Sequence, residues 1–443
     1  MTDPDGAMTE TPQTGIDPSV APRLEHASAS ARPSAVRIVL AHPLYRASTV
    51  ALFLSGLGIS AAAPLIASFL VTELGASLTV AGLYYLTNLT APIAGYLVGA
   101  RSDRTGKRLG LFRICATAGF LGWIGIAFST ELWMPFVISF VVLGFAGAAT
   151  SQLFAALHDE LAAHPTRSDD GVVAIVRMAL TAGWVIGPVL GSFLAAFSGY
   201  RAMFVVVAIA TLAQIIPLGR LRTTPPRTTV DDPGTSDPPA GSIHVTAPPT
   251  FRAMLPLLAF TALYICVYAG ESVKYAYLPL YMNEQLHLAP AVSGAVIGIQ
   301  PLVELALIPL AVVVGRRIGM MRLMTFAAAC GVAANICFAT SGTVAGLFAG
   351  QILMGAVWGV FAALGIIVAQ RLLPTAVATA SAIFLSSTAI SSAIGGLAGG
   401  LGVAAIGLPL VFVVPAALAA IAVIGLACMA RWERTRRPVV LPE

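Results

Sequence analysis

The chain has 443 residues, of which 57% are hydrophobic and only 10% are charged, and its mean hydropathy is +0.87. Soluble proteins carry roughly 25% charged residues, so this composition excludes a water-soluble globule. Apolar windows of about 20 residues, the length that an α-helix needs to cross a hydrocarbon core, recur along the whole chain. We therefore predict an all-α membrane protein that crosses the bilayer many times.

Twelve apolar segments predict twelve transmembrane helices. In chain order they cover residues 48–72, 78–99, 111–129, 132–156, 172–196, 202–219, 255–282, 290–314, 323–340, 343–368, 377–401 and 408–430. A polar, Pro-rich stretch between the sixth and seventh segments predicts a linker. The predicted division is a disordered tail (1–45), a six-helix half (46–219), a linker (220–253), a second half (254–430) and a C-terminal tail (431–443).

Positive charge marks one side of the predicted bundle. Of the 25 Lys and Arg residues, 22 fall in the tails and loops of one side. The opposite side has Arg201, and Arg177 and Lys274 lie inside predicted helices. By the positive-inside rule, both termini are cytoplasmic. The net charge of +5 is thus an orientation signal, and we predict no nucleic-acid partner.

The sequence offers no pattern for a cofactor. The five cysteines show no C-x-x-C spacing, and no Walker-type glycine loop, metal-ligand set or nucleophile triad is present. We predict no metal, no cofactor, no ATP-driven step and no enzymatic activity. The alternative of a membrane-embedded enzyme has one candidate group, His158, Asp159 and Glu160.

A basic turn follows the second predicted helix. It contains Gly99, Asp103, Arg104, Gly106, Lys107 and Arg108. Gly99 permits close helix contact and Gly106 a tight turn. The six residues together form a candidate gating motif, in which Asp103 accepts hydrogen bonds near the positive end of a neighbouring helix. The three basic residues suit the headgroup level, and for Lys107 and Arg108 an ordinary positive-inside role fits well.

A weaker copy of the turn, from Gly315 to Arg322, recurs about half a chain later, with Arg316 where the first half has Asp103. Matches of this kind in the same topological place predict an internal duplication. Two six-helix halves fit the parallel-repeat plan of transporters.

The Gly99–Arg108 stretch resembles the G-x-x-x-D-R-x-G-[RK]-[RK] signature of the major facilitator superfamily. Within that superfamily, the run from Gln152, the run from Arg177 to Pro188 and the spacing of Glu304 to Gly319 look like those of bacterial sugar efflux transporters. The resemblance implies a monomeric secondary transporter of a bacterial cytoplasmic membrane. It implies export of sugars or glycosides, against proton entry.

The fifth predicted helix carries small residues at four-residue intervals and one proline. These residues are Gly183, Gly187, Pro188 and Gly191. Small residues let helices pack closely in lipid, and the proline removes one backbone donor and invites a bend. The pattern predicts close packing and a kink, and it resembles a motif of antiporters in the same superfamily.

Four charged residues lie inside predicted helices. Glu304, with Gln300 one turn before it, sits at mid-bilayer, where a carboxyl group is costly and indicates substrate binding or proton coupling; a structural carboxyl is the alternative. Glu271 and Lys274 can pair on one face of their helix, as a structural or a functional ion pair. Arg177 is predicted to extend to the cytoplasmic face, to pair with Asp159 or to contact substrate.

Sugars need apolar ring faces beneath them and hydrogen-bonding groups around their edges. Candidate contacts are Tyr84, Tyr85, Asn88, Gln152, Tyr268, Tyr275, Gln300 and Trp358. The low polarity of most cavity helices also suits an amphiphilic substrate. A drug or metabolite exporter of the same fold is therefore the alternative function, and the expected partners are a small molecule, protons and membrane lipid.

Overall fold

The computed structural model describes residues 35–165, 169–219, 221 and 250–435. Within these ranges the chain is helical and contains no β-strand, which confirms the all-α prediction. Most of the predicted tails and linker lies outside the described residues. Where the tails are described they are helical: Ala35–Ala41 forms a short helix before the bundle, and the last helix runs on to Thr435.

The helices of the two halves are numbered in chain order. In the first half they are α1 (Pro43–Ala62, continued by Ile66–Thr72), α2 (Leu78–Leu83, Tyr84–Leu89 and Thr90–Thr105), α3 (Arg108–Ala127), α4 (Trp133–Ala163 with a π-turn), and α5 and α6 (within Asp169–Ala213). In the second half they are α7 (Phe251–Leu280), α8 (Pro290–Ile318), α9 (Met320–Thr340), α10 (Val344–Leu372), α11 (Val377–Ile406) and α12 (Val413–Thr435).

Ten helices in the described residues are long and apolar enough to span a membrane. One of them, Gly171–Leu218, has 48 residues; as one straight helix it would be about 72 Å long, more than twice the hydrocarbon thickness of about 30 Å. Its backbone leaves the helical region at Gly199 (φ 82°, ψ 162°), which separates α5 from α6. With α2, which is interrupted by a 3₁₀ turn, this division supports the predicted count of twelve.

Helix α5 packs against α1 through its small residues. A Cβ atom built on Gly183 would lie 2.5 Å from the backbone nitrogen of Leu57, and one on Gly187 would lie 2.7 Å from the Leu57 carbonyl oxygen. The predicted close packing is therefore present. The helix continues through Pro188 and leaves the helical region at Gly199; a bend at Pro188 stays a prediction.

The other face of α5 contacts α8 of the second half. Cβ atoms built on Gly294 and Gly298 would lie 2.6 Å from the Val189 Cα atom and 2.8 Å from the Val185 carbonyl oxygen. These two glycines, four residues apart, form a small-residue contact between helices that is typical of membrane proteins. Helix α5 thus joins α1 in its own half to α8 in the other.

The two ends of the bundle pack differently. We call the end that carries the Gly99–Arg108 turn the basic end, and the opposite end the far end. One apolar core, which includes Leu65, Phe69 and Met203 at the far end of the first half, continues into the second half. A separate core, which includes Leu44, Phe112 and Leu157, fills the basic end of the first half alone. The halves are therefore packed together at the far end.

At the basic end the halves diverge. Helix α11 packs along residues 78–89 of α2 but contacts Thr90–Thr105 only sparsely. A Cβ atom built on Gly95 or on Gly99 would meet no atom within 4 Å. The predicted close helix contact at Gly99 is therefore not made in this conformation, because the helices that flank it have separated.

Replacement of Gly187 by valine should destabilise the protein by more than the about 1–3 kcal/mol typical of overpacking. The reason is that the new side chain would enter the backbone of α1. The measurement is the thermal midpoint of the purified protein in detergent. The control, Gly95→Val, adds the same atoms to open space on α2 and should leave the midpoint nearly unchanged. Equal midpoints for the two variants would contradict the close α1–α5 contact.

Candidate functional site

A buried polar cluster occupies the second half of the bundle. The Lys274 ammonium donates to Glu271 Oε1 at 2.6 Å and also hydrogen-bonds to the side-chain oxygen of Gln300. Gln300 Nε2 donates to Glu271 Oε1 at 3.3 Å. Trp358 Nε1 donates to Glu271 Oε2 at 2.9 Å. Three helices, α7, α8 and α10, thus meet around one carboxylate.

The cluster balances charge where water is scarce. Lys274 is 1% exposed, Gln300 4% and Glu271 7%. An isolated charge inside a membrane protein is costly, so buried charges pair with one another and mark functional pathways. The spacing of three residues in α7 places the lysine beside the carboxylate on one helix face, as the sequence predicted. A neutral amide and an indole complete the set.

Aromatic rings form one wall of the cluster. Tyr268 lies edge-on to Trp358 with ring centroids 4.2 Å apart, and it stacks on Tyr264 at 5.2 Å. The Lys274 ammonium lies 4.6 Å from the centroid of Tyr275, within the range of a cation–π interaction. Apolar ring faces and hydrogen-bonding groups are therefore adjacent.

Glu304 lies one turn beyond Gln300 on α8. Among the described residues it makes no hydrogen bond or ion pair, and it is half-buried. Its charge interacts with Glu271, Lys274 and Arg177. Because Arg177 belongs to α5, this interaction crosses from one half to the other. Asp159, a predicted alternative partner of Arg177, instead accepts from Arg108.

The polar candidates of the first half are engaged in separate contacts. Tyr84 Oη lies 2.5 Å from Ser139 Oγ, and Tyr85 Oη donates to the Ala63 carbonyl at 3.4 Å. Asn88 Nδ2 donates to Ser392 Oγ across the halves at 2.7 Å. Gln152 is buried, and its side-chain oxygen has no partner among the described residues. The structure thus brings the second-half candidates together but not those of the first half.

Several polar contacts were missed at the sequence level. Ser392 accepts from Asn88 and also from Ser272 at 3.1 Å. Tyr277 Oη donates to the Leu78 carbonyl of the first half at 3.1 Å. Gln351 is fully buried with neither side-chain polar atom bonded within the described chain. The hydroxyl-rich run around Ser392 in an otherwise apolar helix was the available signal for the first of these.

The basic turn is built around Arg108. Arg108 Nη1 donates to Asp103 Oδ1 at 2.5 Å and to Ser102 Oγ at 3.0 Å, and its Nε donates to Asp159 Oδ2 at 2.9 Å. Gly106 ends α2 in the left-handed conformation at φ 63°. Arg108 therefore ties α2, α3 and α4 together in addition to adding positive charge to the turn. Arg104 and Lys107 are exposed, as predicted.

The candidate group for an enzyme does not converge. Asp159 is bound to Arg108, whereas Glu160 lies 3.4 Å from His42 Nε2 and 3.2 Å from His164 Nδ1. His158 is exposed. Within the described ranges, no group of three or more potential ligands is arranged for a metal ion.

Long apolar helices with a buried polar cluster beside the contact between the two halves define a multi-pass membrane protein. The chain belongs to the Major Facilitator Superfamily, whose sequence profile matches residues 49–270 and 260–443.

The chain is similar to bacterial transporters over most of its length. It is 27% identical to sugar efflux transporter A of Escherichia coli, covering 78% of this chain and 85% of that one. It is 26% identical to sugar efflux transporter A of Dickeya chrysanthemi, covering 79% and 86%. Among solved structures, the nucleoside transporter NupG superposes with a TM-score of 0.67 at 17% identity, covering 88% and 98%. These structural likenesses show the fold.

Removal of one member of the buried ion pair should be more harmful than removal of both. Lys274→Met leaves Glu271 with an uncompensated buried charge, an effect of about 3–5 kcal/mol in stability. The double variant Glu271→Gln/Lys274→Met removes both charges and should regain most of the thermal midpoint in detergent. A single variant as stable as the double variant would contradict the pairing.

Proposed function

We propose that this protein exports sugars or glycosides across the cytoplasmic membrane of a bacterium, as a proton antiporter that works by alternating access. The observation that carries the proposal is the cluster of Glu271, Lys274, Gln300 and Trp358. It combines charge, amide and aromatic groups in one buried place next to the junction of the halves. The similarity to sugar efflux transporters supports the choice of substrate class.

The direction of opening supports alternating access. The halves touch at the far end through α5–α8 and through α2–α11, whereas they separate around Gly99 at the basic end. If the positive-inside rule holds and the basic end is cytoplasmic, this conformation faces the cytoplasm. Rocking of the halves about the site would close Gly99 onto its neighbour and open the far end.

The chemistry of the cluster suits a sugar. A pyranose ring presents apolar C–H faces and a rim of hydroxyl groups. Tyr268 and Trp358 offer ring faces, and Gln300 and Glu271 offer an amide and a carboxylate for the rim. Because Gln300 and Trp358 already bond to Glu271, a sugar would exchange these contacts for its own hydroxyl groups. Sugar binding would then alter the hydrogen bonds of Glu271, the carboxylate that accepts from Lys274.

Uptake into everted vesicles tests the substrate class. When an imposed proton gradient makes the vesicle interior acidic, the vesicles should accumulate labelled mono- or disaccharides against their concentration gradient. A hydrophobic cation in a parallel assay represents drug export. Accumulation of the cation without any sugar would overturn the sugar proposal in favour of the alternative exporter, and recovery of chemically altered sugar would contradict transport.

Replacement of Glu304 by glutamine should abolish gradient-driven accumulation while leaving sugar exchange at equilibrium. The physical reason is that Glu304 is the half-buried carboxyl without a hydrogen bond, and it interacts with charges of both halves. Glu131→Gln, at an exposed loop position of the far end, is the matched control. Undiminished accumulation by the Glu304 variant would remove its coupling role.

Replacement of Asp103 by asparagine should slow turnover by up to about fivefold and change the affinity for sugar little. The substitution weakens one charge-assisted bond to Arg108, and ion pairs with an exposed partner contribute about 0.2–1 kcal/mol. The variant Lys107→Gln, in the same turn but exposed, serves as the control. Initial rates over a range of sugar concentrations separate the two effects. A weaker affinity at an unchanged maximal rate would contradict a gating role.

A further inference from the structure

The second half carries a basic pocket at the basic end of the bundle. It surrounds the copy of the first-half turn, and α8, α9, α10 and α12 contribute to it. Four exposed arginines line it: Arg316, Arg317, Arg322 and Arg371. Between them lie apolar side chains, among them Val368, Leu372 and Met429, and the indole of Trp432.

Among the side chains that the structure describes, no carboxylate lines this pocket and none forms an ion pair with its four arginines. The first half differs, because its Arg108 is held by Asp103 and Asp159. At the position of Asp103 the copy has Arg316. In the first-half turn, carboxylates of the protein neutralise Arg108. The second-half turn instead concentrates positive charge. Such a concavity attracts anions.

The chemistry of the pocket selects a phosphate group attached to an apolar body. Guanidinium groups match phosphate oxygens in a two-pronged geometry. A free phosphate ion would make no apolar contact with these side chains, whereas acyl chains could pack against them. The pocket also lies at the ends of membrane-spanning helices, where tryptophan is typical of the interface. Basic pockets between helix ends are known to hold anionic headgroups.

We propose that this pocket binds the phosphate of an anionic phospholipid headgroup, with the acyl chains over the apolar ends of α10 and α12. The bound lipid would neutralise the arginines of the second half as Asp103 and Asp159 neutralise Arg108 in the first. The site lies apart from the Glu271–Lys274 cluster. This binding does not depend on which substrate is transported, so its test and the sugar test fail separately.

Titration of the purified full-length protein in detergent with fluorescent phosphatidylglycerol tests the site. The triple variant R316Q/R317Q/R371Q should bind this lipid about tenfold more weakly or worse, since each interfacial arginine contributes to attraction of anionic lipid. The control R101Q/R104Q/K107Q removes three exposed charges from the first-half turn and should lose less than about twofold. Thermal midpoints verify that both variants are folded.

Further measurements identify the ligand and keep the test decisive if the glutamine variant does not fold. Phosphatidylcholine, which is zwitterionic, should bind much more weakly than phosphatidylglycerol, and inorganic phosphate should not displace the lipid. The variant R316K/R317K/R371K keeps the charge but loses the fork, so it should fold and bind with intermediate strength; it replaces the glutamine variant if that does not fold. Equal losses in the two halves, equal binding of both lipids, or displacement by phosphate would each overturn the proposal.

Discussion

Hydrocarbon offers no partner to a polar group, and this constraint shapes the whole chain. Backbone groups must be satisfied within helices, and charges lie at the two ends of the bundle unless they find partners inside. Lys274 obeys the constraint by binding Glu271 and Gln300. Trp358, from a third helix, donates a further hydrogen bond to the Glu271 carboxylate. The buried cluster therefore fixes the relative positions of α7, α8 and α10 and constitutes the candidate site.

The two halves share a plan but not a charge distribution. The first half concentrates its ion pairs at the basic end, where Arg108 holds Asp103 and Asp159, and its interior polar residues bond one at a time. The second half places its ion pair in the interior and leaves its basic-end arginines without a protein carboxylate in the described chain. The two halves therefore differ in where their charged side chains meet: at the basic end in the first half, and in the interior in the second.

Sequence alone predicted the helical class, the family and the Glu271–Lys274 pair, because these follow from composition, a local signature and a spacing of three residues. The sequence did not predict the conformation that the two halves adopt. Gly99 suggests a close contact, yet the contact is absent because the halves have separated at that end. The backbone break between α5 and α6 falls at Gly199, where the sequence offers only a glycine before Tyr200.

Contacts between the halves were equally hidden. Two examples are the contact of Asn88 with Ser392 and that of Gly294 with Val189. The residues of each pair are far apart in the chain, and the sequence around one does not indicate the other. The pairing of Arg108 with Asp159 was not predicted for the same reason, since it depends on how α3 and α4 pack. Local chemistry is readable from a sequence, whereas partners across helices depend on the tertiary arrangement.

The two buried carboxylates are suited to different roles. Glu271 accepts hydrogen bonds from Lys274, Gln300 and Trp358, so a change in its protonation would disturb three helices at once. Glu304 has charged neighbours in both halves but no hydrogen bond within the described chain, so it can gain or lose a proton without dismantling the cluster. Its interaction with Arg177 would weaken as the halves rock apart. In the proposed antiport, a proton on Glu304 would respond to the conformation and Glu271 would respond to the substrate, with Lys274 interacting with both carboxylates.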